Sequence, residues 1–482
     1  MMSIENLAPK QVWKNFYALT QIPRPSKHEE KVRAFMVGFG KKLGLETFVD
    51  DIGNVIIRKP ATAGMEGRKG VILQAHLDMV PQKNSDTVHD FEKDPIQPRI
   101  DGEWVRASGT TLGADNGVGV AVAMAVLEAD DLVHGPVEAL FTIDEETGMT
   151  GAFGLKAGLL KGEVLINLDS EDEGELYVGC AGGLDGSFTF TGRNEPVPAG
   201  YKAFQLAVTG LRGGHSGMDI ILGRGNANKV LMRFLYVLTT DFGARLSTLE
   251  GGNLRNAIPR EAFALVWLPA AQAAAAGQAV AALSAAITAE LSATDGGLKV
   301  ALDEAAEKPA AVVDEATQRA LILAVYACPN GVVRMSDTMP GLVETSNNLA
   351  IVKLENGVAQ VSCLLRSSVD SAKDDLANAM GAVFTLAGAE VAFTGGYPGW
   401  KPNPDSAILK TMKAVYERMY GKVPDVKAIH AGLECGLLGG VYPHWDMISC
   451  GPTIRSPHSP DERLKIDTVE KWWNFIVQVL QS

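Results

Sequence analysis

Val71-Ile72-Leu73-Gln74-Ala75-His76-Leu77-Asp78 decides the architecture. A largely aliphatic run ending in a histidine and an acid reads as a strand buried on both faces, as in a parallel sheet. Side chains alternate along a strand, so His76 and Asp78 emerge on one face where the strand leaves the core. An imidazole there can bind a metal ion through one ring nitrogen while the carboxylate fixes its orientation. His-x-Asp is common by chance, so its weight depends on whether other strands end in the same way.

They do. Residues 137–143 form a second apolar strand that runs into Asp144-Glu145-Glu146, and residues 164–168 a third that runs into Asp169. Between them, Val118, Val122 and Val126 recur at helical spacing. Strands alternating with helices imply an α/β layer with a mixed, largely parallel sheet and helices on both faces. Functional groups in such sheets gather beyond the carboxyl ends of the strands. Upstream, residues 6–44 read mainly as helices, interrupted at Ile22-Pro23-Arg24-Pro25.

After Gly186 the texture changes. Ser187-Phe188-Thr189-Phe190 and Phe204-Gln205-Leu206-Ala207-Val208 read as antiparallel strands, and residues 270–291 as an alanine-rich packing helix with Val280, Leu283, Ile287 and Leu291 on one face. Strands at 349–354 and 359–365 flank the hairpin turn Glu355-Asn356-Gly357, and a helix follows over 374–386. Tyr397-Pro398-Gly399-Trp400-Lys401-Pro402-Asn403-Pro404 reads as a hinge back to the first domain, which resumes with a helix over 406–420 and ends in another from about Asp467. The expected organisation is a domain of 1–186 and 401–482 with 187–400 inserted as an α+β domain of doubled antiparallel character.

Composition narrows the function. The chain has 482 residues, 46% of them hydrophobic and 21% charged, and a net charge of −13. That balance argues against general nucleic-acid binding, which needs a basic footprint, and against docking on an anionic membrane. The five cysteines are scattered without a Cys-x-x-Cys pair, so neither a disulfide framework nor a zinc ribbon is indicated. The start, Met1-Met2-Ser3-Ile4-Glu5-Asn6, lacks a signal-peptide pattern, and no apolar run of about 20 residues predicts a membrane span. A cytoplasmic protein is expected.

Asp115 lies in Gly109-Thr110-Thr111-Leu112-Gly113-Ala114-Asp115-Asn116-Gly117-Val118-Gly119, at a loop-to-helix junction. Alone it reads equally as an N-capping aspartate. No G-x-G-x-x-G or ribose-binding acid supports a dinucleotide loop. Three successive acids at 144–146 repel one another unless cations compensate. His458 stands in the proline-bracketed loop Arg455-Ser456-Pro457-His458-Ser459-Pro460-Asp461-Glu462. Together, His76, Asp115, Glu146, Asp169 and His458 make a ligand set of two imidazoles and three carboxylates, suited to zinc, cobalt or manganese. One carboxylate of such a set can bridge two ions, and paired metals activate water for hydrolysis.

The runs Gln74-Ala75-His76-Leu77-Asp78-Met79-Val80, Leu112-Gly113-Ala114-Asp115-Asn116-Gly117, Asp144-Glu145-Glu146-Thr147-Gly148 and Ser456-Pro457-His458-Ser459-Pro460-Asp461-Glu462, in that order, resemble the M20 family of di-zinc metallopeptidases. The resemblance covers essentially the whole chain and is closest to the members that cleave unblocked dipeptides, including Xaa-His. It implies two divalent metal ions, zinc first, with Asp115 bridging, His76 and Asp169 on one metal, and Glu146 and His458 on the other. It makes Asp78 the residue that orients His76 and Glu145 the base that activates a metal-bridging water. In the insertion, His215 of Arg212-Gly213-Gly214-His215-Ser216-Gly217 resembles a lid histidine that stabilises an oxyanion. Asn256 and Arg366 resemble groups that hold the substrate's C-terminal carboxylate, Gly432 a backbone contact, and Glu434 a partner for the free amino group.

Relatives with a lid of half this size dimerise through it, so a homodimer is open here, as is whether His215 serves its own or a neighbouring subunit's site. Two other readings compete: an aminoacylase or N-deacylase on the same scaffold, and a non-catalytic metal-binding protein. Glu145 argues against the last, because a structural metal site has no use for an unligated acid beside it.

Overall fold

Four strands ending at one rim organise the first part of the molecule. The computed structural model describes residues 3–482; Met1 and Met2, which open the N-terminal reading, lie outside the described residues. Val71–His76 pairs in parallel with Val137–Thr142 on one side and Val164–Asn167 on the other, and Val164–Asn167 pairs in parallel with Asp446–Ser449. Burial explains their composition: every residue of Val137–Thr142 and Val164–Asn167 is buried, so neither strand alternates apolar with polar side chains. Val55–Lys59 and Glu46–Val49 extend the sheet antiparallel on one side; on the other, Glu175–Cys180 joins antiparallel and Asp425–Ile429 follows it at the edge. The sheet is therefore mixed, with its parallel part at the centre. The helix Ala114–Glu128 packs on Val71–His76 and against Lys10–Thr20. A separate four-stranded sheet carries the hairpin Ile454–Arg455 and Arg463–Lys465 onto Trp104–Ala107, which fixes the loop that bears His458.

The chain divides into two compact units: the chain up to Gly179 with Pro402–Ala428 and Leu433–Ser482, and Cys180–Lys401 with Ile429–Gly432. The second unit thus begins before the texture change at 187. Gly182–Thr191 is already a strand of its sheet, in register from Gly182 opposite Ser367. The glycines that disguise its start are needed for close approach, since a Cβ at Gly182 would lie 2.4 Å from the Tyr397 carbonyl oxygen. The short return at 429–432 could not be read from composition. His430 anchors it, with Nε2 2.7 Å from Ser346 Oγ.

Nine strands form one antiparallel sheet in this unit. Its two strand sets are joined where Arg245–Gly251 pairs with Val343–Glu355. Val343–Glu355 turns through Asn356-Gly357 into Val358–Ser367, and both loop residues have positive φ, as a two-residue hairpin requires. Ala227–Asp241, Ala273–Glu290, Glu315–Ala327 and Asp370–Leu386 supply residues to a single apolar core. Within it Phe384 stacks on Phe188 with ring centroids 3.7 Å apart. By length and composition, Ala273–Glu290 is apolar enough to cross a membrane, which the sequence reading did not foresee. Alanine supplies that apolarity, and Val280 and Ile287 are buried in this core. Replacing Phe384 with alanine should cost about 3–5 kcal/mol, read as a lower urea midpoint for this unit; an unchanged midpoint would show that the stack is not part of a tight core.

Candidate active site

The site is built where the parallel strands end. Strand pairing continues one residue past His76, through Leu77 N to the Thr142 carbonyl at 2.8 Å, so the strand delivers His76 and Asp78 in rigid register. Asp78 then does three things. Its Oδ1 lies 3.2 Å from His76 Nδ1, and its carboxylate accepts from Ser26 Oγ at 2.8 Å. It also accepts the backbone N–H groups of Glu145 at 3.0 Å and Glu146 at 3.2 Å. Those amides open the one-turn helix Glu145–Gly148, so one buried acid aligns both the imidazole and the two following glutamates. Asp144, before the turn, holds left-handed backbone (φ 52°), and His458 does the same (φ 58°). Of the six non-glycine residues with positive φ among the described residues, Asp144, Met149, Ser456 and His458 lie in the two segments carrying Glu145, Glu146 and His458.

Asp115 stands between two histidines. Its Oδ1 is 3.1 Å from His76 Nε2 and its Oδ2 is 3.1 Å from His458 Nε2. Asp169 Oδ1 lies 3.4 Å from His76 Nε2, and Glu146 Oε2 lies 3.0 Å from His458 Nε2. Two triads result, His76–Asp115–Asp169 and Asp115–Glu146–His458, each with one ligand atom per residue within 4.8 Å of the others. They share Asp115, one oxygen each. Glu145 belongs to neither, although Glu145, His76 and Glu146 also offer ligand atoms within 4.8 Å of one another.

The electrostatics reflect the crowding of buried acids and imidazoles at this rim. Burial disfavours charge on Asp169 and pushes its carboxyl up to about 7. Burial, then the neighbouring acids against the opposing pull of His76, raises Glu145 well above the carboxylate range. Hydrogen bonds to Asp115 and Glu146 raise His458 to about 11. Asp78 moves the other way: burial opposes its charge, but His76 and its hydrogen-bond donors outweigh that and bring it to about 2. Glu146 Oε1 and Asp169 Oδ1 are buried without a hydrogen-bond partner. One proton on each Nε2 cannot satisfy two carboxylates, whereas a divalent cation in each triad would satisfy all three donors. The residues fit two such ions.

Glu434 opens the helix Glu434–Val441 beside this rim. It is 1% exposed, accepts from Gln74 Nε2 at 2.6 Å and Thr142 Oγ1 at 2.8 Å, and leaves Oε1 buried and unpartnered.

The remaining candidates lie in the second unit. His215 Nδ1 accepts the backbone N–H groups of Gly217 and Met218 at 3.2 and 3.0 Å, which puts the ring proton on Nε2. Burial and the Arg366 charge lower its pKa, so it is a neutral donor. Arg366 is buried, reaches Ser216 Oγ at 3.2 Å and Tyr397 Oη at 3.4 Å, and has no carboxylate within ion-pair distance among the described residues. Gly432 lies against the same tyrosine: a Cβ there would be 3.0 Å from Tyr397 Oη. Asn256 is exposed, and its carbonyl accepts Ser216 N at 2.9 Å. Sequence reasoning passed over Tyr397, His430 and Ser346, because a lone tyrosine, histidine or serine carries no periodicity. It also gave no task to Arg24 or Glu462, although Glu462 closes the His458 motif.

Residues 72–482 match the model of peptidase family M20/M25/M40. The chain is 47% identical over its whole length, and 99% of the other, to the cytosol non-specific dipeptidase of Escherichia coli (strain K12). It superposes on the crystal structure of an aminoacylhistidine dipeptidase from Vibrio alginolyticus with a TM-score of 0.95 at 50% identity, covering 100% of this chain and 98% of that one. The aminopeptidase PepT of Bacillus cereus ATCC 10987 shares the fold at 16% identity, with a TM-score of 0.57 and 98% of each chain covered.

A stability profile follows from these shifts. Asp169, Glu434 and Glu462 titrate near 7 in the folded chain, each raised first by burial, so they favour folding at low pH. That contribution fades as pH climbs from about 4, the unfolded value, to about 7. The raised His458 favours folding below its unfolded value of about 6.5 and fades above it. Asp78 is ionised throughout this window and adds no slope. Metal-stripped protein should therefore unfold at a lower temperature at pH 8 than at pH 5, and Zn(II) should reverse the loss, because ligands bind metal deprotonated. Equal unfolding temperatures would contradict the assignment.

Proposed function

As the chain belongs to peptidase family M20/M25/M40, we propose that it is a metallo-dipeptidase hydrolysing unblocked dipeptides, Xaa-His among them. One observation carries the reading: the two oxygens of Asp115 face two histidines, each at 3.1 Å, in triads completed by Asp169 and Glu146. His76, Asp115 and Asp169 would hold one divalent ion, and Asp115, Glu146 and His458 the other; zinc leads for this nitrogen and oxygen set, with cobalt or manganese as alternatives. Such ions supply Lewis acidity toward the scissile carbonyl and lower the pKa of water.

The protein groups divide the remaining work. Glu145, half-buried and outside both triads, takes a proton from the attacking water and returns it to the leaving amine. Asp78 holds His76 by its Nδ1 and fixes the amide of Glu145, so the base and the ligand share one anchor. Within the second unit, neutral His215 with its proton on Nε2 is suited to donate to the oxyanion of the tetrahedral intermediate. Arg366, with Asn256 and the Gly432 backbone, is assigned the C-terminal carboxylate, since a buried guanidinium without an acid partner suits a planar anion. Glu434, whose buried Oε1 has no partner, is assigned the substrate's ammonium group. A cytoplasmic setting for the reaction is supported by the word cytosol in the name of the E. coli relative.

Two measurements test this. Glu145→Gln should keep both metal equivalents and lower kcat by about a hundredfold or more; full activity would remove Glu145 as the base. Free dipeptides should turn over and their N-acetyl forms should not, with Glu434→Gln raising KM for the free forms. Turnover of N-acetyl substrates alone would select the N-deacylase reading.

A further inference from the structure

Two buried charges in the first unit have no part in the chemistry above. Glu462 is 1% exposed and its carboxylate accepts four consecutive backbone N–H groups. Oε2 takes Leu112 at 2.6 Å and Gly113 at 2.9 Å; Oε1 takes Ala114 at 2.7 Å and Asp115 at 3.2 Å. Arg24 is 2% exposed and donates only to carbonyls: Nη1 to Leu77 at 2.9 Å and Asp78 at 2.8 Å, and Nη2 to Gly113 at 2.6 Å.

The segments they join are the ones that carry ligands. Glu462 lies in the loop of His458 and grips the backbone of Asp115 itself. Arg24 grips the turn before Asp115 through the Gly113 carbonyl and the His76–Asp78 strand end through the carbonyls of Leu77 and Asp78. A buried carboxylate is costly unless its hydrogen bonds are complete, and this one spends all of them on a single turn. That turn begins with Gly113 in left-handed backbone (φ 70°) and has no side-chain cap of its own. The pair therefore closes a clasp on the bridging carboxylate from both sides, acid on the amides and guanidinium on the carbonyls.

We propose that Arg24 and Glu462 are positioning residues that set the spacing of His76, Asp115 and His458, and thereby the affinity for the pair of divalent ions. The inference rests on the two-ion reading above. Its test is Zn(II) titration of the chelated full-length chain, with a competing chromophoric chelator, for wild type, Glu462→Gln, Arg24→Lys and a control, Glu138→Gln. Glu138 is likewise buried and accepts the amides of Lys161 and Gly162 at 2.7 Å, at the far end of its strand from the site. Groups that orient ligands typically alter metal affinity by about 10- to 100-fold. Glu462→Gln and Arg24→Lys should each weaken at least one of the two Zn(II) equivalents by that factor. The control should lower the unfolding temperature and leave both affinities in place. Wild-type affinities in either folded clasp variant, or equal losses in the control, would overturn the proposal. So would clasp variants that fail to fold even with saturating Zn(II), since the role would then be general stability. Failure of the wild type to take two equivalents would instead overturn the two-ion reading.

Discussion

Sharing one carboxylate between two imidazoles is the constraint on which the site depends. Asp115 can face His76 and His458 at once only if segments remote in the chain are held to within a fraction of an ångström. The parallel strands achieve half of this, because neighbouring strands that run the same way end at the same rim. They bring His76, Glu145, Glu146 and Asp169 together with no contribution from flexible loops. The other half comes from a separate small sheet, which returns the C-terminal hairpin and seats His458 opposite. Burying acids there is unfavourable in itself and crowding them adds to it, and the raised carboxyls of Asp169 and Glu145 record both costs, burial first.

Asp78 and Glu462 meet the same requirement in complementary ways. Each is a buried carboxylate that accepts backbone amides, and each binds the amide of a residue central to the chemistry, Glu145 for one and Asp115 for the other. Buried acids thus play two roles. Those whose oxygens converge on the shared space compete for two imidazole nitrogens, which leaves Glu146 Oε1 and Asp169 Oδ1 without a hydrogen-bond partner and suits cations; those whose oxygens are all taken by other protein donors are frame. The distinction lies in hydrogen-bond completeness and not in burial, since Glu146 and Glu462 are both enclosed.

Much of this was legible in the sequence, for a physical reason. Aliphatic runs such as 71–75 and 137–141 announce buried strands, and an acid or histidine directly after such a run must emerge at the sheet's rim. The parallel sheet and its cluster of strand-end residues follow from pattern alone. Side chains that act on backbone leave no such trace: Arg24 looked like a break between prolines, and Glu462 like the tail of a charged loop. The start of the second unit was hidden for the opposite reason. Gly182 and Gly183 look like a turn, yet they are strand residues kept small by the approach of Tyr397. The brief return at 429–432 depends on one tertiary bond, His430 to Ser346, which no local pattern encodes.

The most direct test of the account is anomalous diffraction at the zinc edge from crystals of the Zn(II)-loaded protein. The account predicts two peaks, one beside His76 and Asp169 and one beside His458 and Glu146, with Asp115 between them and Glu145 bound to neither. A single peak, or a second ion held by Glu145, would contradict it.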